Sequence, residues 1–137
     1  MRTVKHTDVL RFIRVNAGSD LFRHYSNNFL RDWIHRCLDN KNFFFYFQGV
    51  NIRGIIEWYR YKNIDEIIWD FQWKKLGKYS GPILYVNYII CCPDFMCRRR
   101  WREFLKFQRR RGEITSIFRL QARDGFRIKE LKGIRGI

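Results

Sequence analysis

One stretch constrains the fold more than any other: Pro82 to Gly112, PILYVNYIICCPDFMCRRRWREFLKFQRRRG. Ile83 to Cys92 carries almost nothing polar except Asn87, and Ile, Val and Tyr dominate it. Such a run suits a central strand covered on both faces. Pro93 has no N–H to give to a ladder, so the strand should stop there. Asp94 then stands where a helix N-cap belongs; its carboxylate can accept from the first turn and complement the dipole. The spacing predicts a helix over 95–111, closed by Gly112. Cys97, Trp101, Phe104, Leu105 and Gln108 fall on one face of it. Arg98, Arg99, Arg102, Lys106, Arg109 and Arg110 fall largely on the other. A buried strand feeding a helix N-terminus is also a common anion site.

The basic helix is the densest part of a strongly basic chain. Lys and Arg number 28 against 13 Asp and Glu, a formal net charge of +15. A polyanion is the natural partner: nucleic acid, anionic lipid or a phosphorylated cofactor. The alternative is that the charge only keeps an aromatic-rich fold soluble. With 137 residues and 46% apolar content, the chain can bury one core, which argues against disorder and for a single domain over 1–137. The opening MRTVKHTDVL lacks the apolar centre of a secretory signal. No run approaches the roughly 18–20 apolar residues of a membrane span. Cys37, Cys91, Cys92 and Cys97 therefore read as reduced thiols in a cytoplasmic protein. Cys91 and Cys92 point to opposite faces of a strand, no C-x-x-C occurs, and His6, His24 and His35 lie elsewhere. Packing is the expected role of the thiols, and no metal is expected.

Taken in order, the chain opens with a short strand or loose terminus over 1–6. A first helix starts at Thr7-Asp8 and shows Val9, Leu10, Phe12 and Ile13 up to about Val15. Asn16 to Asp20 is a break. Asn27 or Asn28 caps a second helix with a stripe of Phe29, Leu30, Trp33, Ile34, Cys37 and Leu38. Asn42 to Gln48 and Ile52 to Tyr61 read as a hairpin around Gly49. Gly54 marks a bulge or a close approach of backbone. Ile64, Ile67, Ile68 and Phe71 predict a short helix over 64–73. The segment 62–81 is then either a substrate-facing flap or a place where Trp69 and Trp73 pack under a loop. Two final strands, 113–121 and 126–131, flank the Asp124-Gly125 turn signal.

Two helices, a hairpin, a connecting segment and a strand–helix–strand unit make the order α-α-β-β-x-β-α-β-β, an α+β mixed sheet of about five to seven strands. This resembles the GNAT acyltransferase superfamily. The likeness is concentrated in FFFYFQGVNIRGIIEWYRY, similar to that family's second and third strands, and in ILYVNYIICCPDFMCRRRWREFL, similar to its fourth strand and following helix. The resemblance implies an acyl-CoA (acetyl-CoA) cofactor in a gap beside the fourth strand. It implies main-chain contacts to pantetheine from Ile89, Ile90, Cys91 and Cys92, and a pyrophosphate at the helix start near Arg98 and Arg99. It also implies a small phage-encoded member acting on or near nucleic acid in the host cytoplasm. The stretch before the helix, Cys92 to Arg98, has none of the glycines of the family's signature there, and Asp94 would set a negative charge where the pyrophosphate belongs.

The chemistry implied is attack of an amine on a thioester. Glu57 is the candidate general base, with Tyr59 beside it on the same strand face. Its alternative is a solvated residue paired with Arg53 or Arg60. Tyr85 and Asn87 share one face of the central strand and Tyr88 takes the other; Tyr85 and Tyr88 are candidate proton donors to the leaving thiolate, with core packing as the alternative. The competing function is a non-enzymatic nucleic-acid binder. Its contacts would be Arg98, Arg99, Arg102, Lys106, Arg109 and Arg110, with Arg119, Arg123, Arg127 and Lys129 nearby. Trp101 and Phe104 would be stacking platforms in that reading, or else core. A small viral structural or partner-binding protein is the third class.

Overall fold

The computed structural model describes residues 4–17, 23–73, 75–77, 79–121 and 127–131. Its elements are α1 (His6–Asn16), α2 (Asn27–Asp39), β1 (Phe43–Gln48), β2 (Asn51–Tyr61), α3 (Ile64–Gln72), β3 (Ile83–Cys91), α4 (Arg98–Arg109), β4 (Ser116–Gln121) and β5 (Arg127–Glu130). The five strands form one sheet in sequential order. β3 and β4 run parallel, from Ile83 opposite Ser116 to Val86 opposite Arg119. α4 is the crossover that a parallel pair requires. β4 and β5 run antiparallel, from Phe118 opposite Glu130 to Gln121 opposite Arg127. This is the α+β mixed sheet that the element order predicts.

The chain divides into two compact units, Met1–Ile56 with Ile89–Met96, and Glu57–Tyr88 with Cys97–Ile137. In the first, α1 buries Val9, Phe12 and Ile13, and α2 buries Leu30, Ile34 and Cys37. The cap of α2 is Ser26, one residue before the expected asparagines, and its hydroxyl accepts from Phe29 N at 3.1 Å. Gly49 turns β1 into β2 at φ 61°. Gly54 is a close approach: a Cβ there would lie 3.2 Å from the Tyr46 ring and 3.6 Å from Cys91 Cβ. His6 begins α1, so no strand runs to residue 6.

In the second unit, alternate residues of β2 face opposite ways. Tyr59 and Tyr61 join Ile67, Tyr85, Phe118 and Leu120 in one buried cluster, against which Phe71 of α3 packs. Trp58 and Arg60 face α4: the Trp58 ring lies edge-on to Phe107, and Arg60 Nη1 donates to Gln108 O at 2.9 Å. α3 and α4 therefore lie on opposite faces of this part of the sheet. Gly81 sits at φ 150°, and a Cβ there would fall 2.2 Å from Tyr61 O. Only glycine fits that position.

The helix after β3 begins later than its sequence predicts. Asp94 does not cap it. Asp94 has φ 60° in the turn that follows Cys92, while α4 starts at Arg98 with Cys97 as its N-cap and no side-chain cap bond. Pro93-Asp94 favours a turn with its own geometry, and Asp is one of the few residues that tolerate a left-handed backbone. Cys97 is accordingly exposed rather than part of the apolar face. Phe104, Leu105 and Gln108 are the buried face of α4. The Ala122–Gly125 turn signal lies outside the described residues, as does Arg123.

Candidate functional site

β2 and β3 bring four polar side chains together in the second unit. Glu57 is 1% exposed, Tyr85 0%, Tyr59 3% and Asn87 8%. Alternation puts Glu57 beside Tyr59 on β2 and Tyr85 beside Asn87 on β3. Tyr59 donates its hydroxyl to Glu57 Oε2 in a short hydrogen bond. Asn87 Nδ2 donates to Glu57 Oε1 at 3.0 Å. Tyr85 donates to Asn87 Oδ1 at 2.9 Å. The chain of donors thus runs from Tyr85 through Asn87 to the carboxylate, and it fixes the Asn87 amide in one orientation. Burial, then the Glu57 carboxylate and Tyr88, push the Tyr85 hydroxyl well above the usual tyrosine range, so it keeps its proton.

Glu57 is not the solvated strand residue of the alternative reading. Arg60 faces the other way and gives its guanidinium to four main-chain carbonyls: Gly81 at 2.7 Å, Gln108 at 2.9 Å, Gly112 at 3.3 Å and Glu113 at 3.0 Å. Burial and then the nearby Arg111 lower the Arg60 pKa, but the Gly81 carbonyl and three more at or just beyond the C-terminal end of α4 accept from the guanidinium. Arg60, Arg111 and Trp58 line a groove of about 660 Å³, with Arg111 lying 5.1 Å over the Trp58 ring.

The remaining predicted residues are distributed as follows. Tyr88 is half-buried against the Tyr59–Tyr85 cluster. In the first unit, Ile90 is buried, and Ile89, Cys91 and Cys92 are half-buried. Both main-chain groups of Cys92 are engaged there: its N–H donates to Arg53 O, and its carbonyl accepts from Phe95 N, each at 3.0 Å. The Cys92 N–H is thus committed within the protein, while its carbonyl keeps a second lone pair. Arg98, Arg99, Arg102, Lys106, Arg109 and Arg110 are all exposed, and Arg99 makes a 3.8 Å contact with Glu103. The first turn of α4 has no acidic residue. Arg98 and Arg99 are exposed in that first turn, where the positive end of the helix adds to their charge. Phe104 is fully buried and belongs to the core, while Trp101 is half-buried beside it, with ring centroids 5.4 Å apart.

Sequence reasoning missed two arrangements. The Arg60 anchor to four carbonyls has no local signal, because its partners lie 21 to 53 residues away. Asp70, buried on α3, accepts from Tyr61 at 3.1 Å; an acid at a core-facing helical position was the available clue. Of the two readings of 62–81, a substrate-facing flap or tryptophans packed under a loop, the second does not hold for Trp69 and Trp73, which are 62% and 54% exposed. Among the described residues no group of three His, Cys, Asp or Glu could hold a metal, and no helix is long and apolar enough to cross a membrane.

No family model matches the chain, and neither does any curated protein. Solved structures do. The chain is similar to the loading GNATL domain of CurA from Lyngbya majuscula, with TM-score 0.59 and 16% identity over 88% of this chain and 63% of that one. It is also similar to the GphF GNAT-like decarboxylase in complex with isobutyryl-CoA, with TM-score 0.58 and 14% identity over 87% of this chain and 64% of that one. The chain thus spans under two thirds of the length of either. At such identities the likeness establishes the fold, which is GNAT-like with α3 as the connecting segment.

Proposed function

We propose that this protein is an acyl-CoA-dependent N-acyltransferase in which Glu57 is the general base. The observation that carries the reading is a buried carboxylate held by Tyr59 and Asn87, in a GNAT-like sheet, next to the point where the pairing of β3 with β4 is last defined at Val86. The structural neighbour solved with isobutyryl-CoA supports the class of ligand. Arg98 and Arg99, with the open first turn of α4, would hold the pyrophosphate. Ile89, Ile90 and Cys91 belong to the same proposal as contacts of the pantetheine arm. When bound, acyl-CoA supplies an acyl group activated as a thioester.

The chain's own residues then have distinct tasks. Glu57 accepts a proton from the acceptor ammonium, leaving a neutral amine as nucleophile. Tyr59 and Asn87 aim the two carboxylate oxygens and prevent rotation. Tyr85 holds Asn87 rather than titrating, since burial and then Glu57 push its hydroxyl well above the usual tyrosine range. Tyr88, half-buried, is the better placed of the two tyrosines to give a proton to the leaving thiolate. Removing a general base of this kind typically lowers turnover by ~10²–10⁴. Glu57→Gln should therefore abolish most acyl transfer from acetyl-CoA to amine acceptors while coenzyme binding persists. Equal turnover in parent and variant would remove Glu57 from the chemistry.

A second reading is favoured by the exposed cations Arg98, Arg99, Arg102, Lys106 and Arg109 of α4 and Arg110 at its C-cap, which suit a polyanion approached through phosphates alone. Nucleic acid would then be the acceptor or a partner, including for a phage-encoded protein. Its mark is a steep salt dependence of binding that flattens when Arg98, Arg99 and Arg102 become Ala.

A further inference from the structure

We propose that the groove at the C-terminal end of α4 binds a small phosphate monoester. The groove lies wholly in the second unit, at the other end of α4 from Arg98 and Arg99. Its volume of about 660 Å³ falls within the range of small-molecule pockets. Two guanidiniums line it. Arg60 is 5% exposed and donates to neutral carbonyls, so its positive charge has no carboxylate partner among the described residues. Arg111 is exposed, yet two rings hold it: its Cζ lies 5.1 Å over Trp58 and 5.8 Å over Phe107. Among the described residues Arg111 makes no hydrogen bond or ion pair, so its N–H fork is open to a ligand.

Charge selects an anion. The end of α4 contributes only about half a negative charge, against the whole positive charge of Arg60. Glu113 is exposed at the rim and pairs with neither arginine among the described residues. Burial and then Arg111 lower the Arg60 pKa, the effect of two like charges in one groove, which an anion between them relieves. Two cations match the near-double charge of a phosphate monoester better than the single charge of a carboxylate. The groove is also larger than a bare phosphate needs. Pro82 and the Tyr79 ring, stacked on Tyr61 at 4.9 Å and 44% exposed, give it an apolar wall beside the arginines. A phosphate carried on a flat ring system, as in a nucleoside monophosphate, uses both.

Calorimetric titration of inorganic phosphate, ribose phosphate and adenosine monophosphate into the full chain tests this. Each probe should bind saturably at one site, most tightly as adenosine monophosphate, and more weakly as salt is added. The Arg98→Ala/Arg99→Ala protein should bind all three as the parent does, which separates this groove from the coenzyme site proposed above. Arg111→Gln should weaken every probe roughly tenfold or more. Arg111→Lys keeps the charge without the fork and should lose less. Tyr79→Ser should bring adenosine monophosphate down to ribose phosphate and leave inorganic phosphate unchanged. Arg31→Gln removes an exposed cation of α2, in the other unit, and should stay within about twofold of the parent. No saturable binding by the parent would overturn the proposal. So would equal losses in Arg31→Gln and Arg111→Gln, which would assign the binding to net charge. Binding lost with Arg98 and Arg99 would overturn it too, and would place the phosphate at the start of α4. Inorganic phosphate bound as tightly as adenosine monophosphate would overturn it in favour of a bare anion site.

Discussion

The two faces of the sheet in the second unit solve the same packing problem in opposite ways. On the α4 side, Phe104 and Leu105 go in and the cations go out. The one inward charge, Arg60, is met by four carbonyls. On the α3 side, carboxylates and tyrosine hydroxyls go in, as Glu57 with Tyr59 and Asp70 with Tyr61, while two tryptophans stay out. The first side sets its charge outside, where an anion can reach it. The second places polar chemistry where water is excluded, which is where it is most costly to leave unmatched and most useful in a reaction.

The comparison is broken most forcefully at the two sides of α3. Ile67→Ala should cost about 2–4 kcal/mol as a buried truncation, whereas Trp69→Ala should stay within about 0.5 kcal/mol. Thermal melts read both. Equal losses would show that α3 is packed on both sides.

Arg60, on the α4 side, comes next. Arg60→Met removes the donor to four carbonyls at once and should cost about 1–3 kcal/mol, the range for leaving buried neutral acceptors unmatched. Urea unfolding measures it. A loss under ~1 kcal/mol would mean the carbonyls find other partners.

These two helices also show what was legible. The strand–turn–helix order, the hairpin around Gly49 and the close approach at Gly54 follow from local chemistry and were readable. The face of α4 was readable too, because apolar and basic residues segregate cleanly along it. α3 was readable as a helix but not in its orientation: Ile64, Ile67, Ile68, Trp69, Phe71 and Trp73 are apolar nearly all round, so periodicity alone could not choose the buried side. The start of α4 was misjudged because a turn and a cap both favour Asp after Pro. In the site, the pairings of Glu57 with Tyr59 and of Tyr85 with Asn87 follow from strand alternation. Their union through Asn87 and Glu57 depends on strand register, which short-range sequence does not carry.

A third, smaller effect separates the faces by pH. Burial and the neighbouring Asp70 raise the Tyr61 hydroxyl, and burial and Glu57 raise Tyr85, both above their ordinary value of 10.0. The unfolded chain therefore releases these protons first. The protonated folded state keeps its full advantage below pH 10 and loses it progressively above. Stability should be level to that point and then fall, and Tyr61→Phe/Tyr85→Phe should blunt the fall. A parent and variant with parallel alkaline profiles would contradict the burial account.

The smallest effects belong to the exposed surface. Arg99→Ala loses an exposed contact with Glu103 and should change stability by less than about 0.5 kcal/mol. Asp94→Asn should be silent for α4, since Asp94 is not its cap and Asn tolerates the same backbone. A destabilisation of ~1 kcal/mol or more from Asp94→Asn would restore the capping role.

The central proposal is that this GNAT-like fold binds acyl-CoA at the start of α4. Calorimetric titration of acetyl-CoA into the parent, Arg98→Ala/Arg99→Ala and Glu57→Gln proteins tests it most directly. The account predicts one saturable site in the parent, binding weakened by roughly tenfold or more when the two arginines are lost, and binding retained in Glu57→Gln. No detectable coenzyme binding by the folded parent would contradict it, and would leave the basic face of α4 as a surface for a different anion.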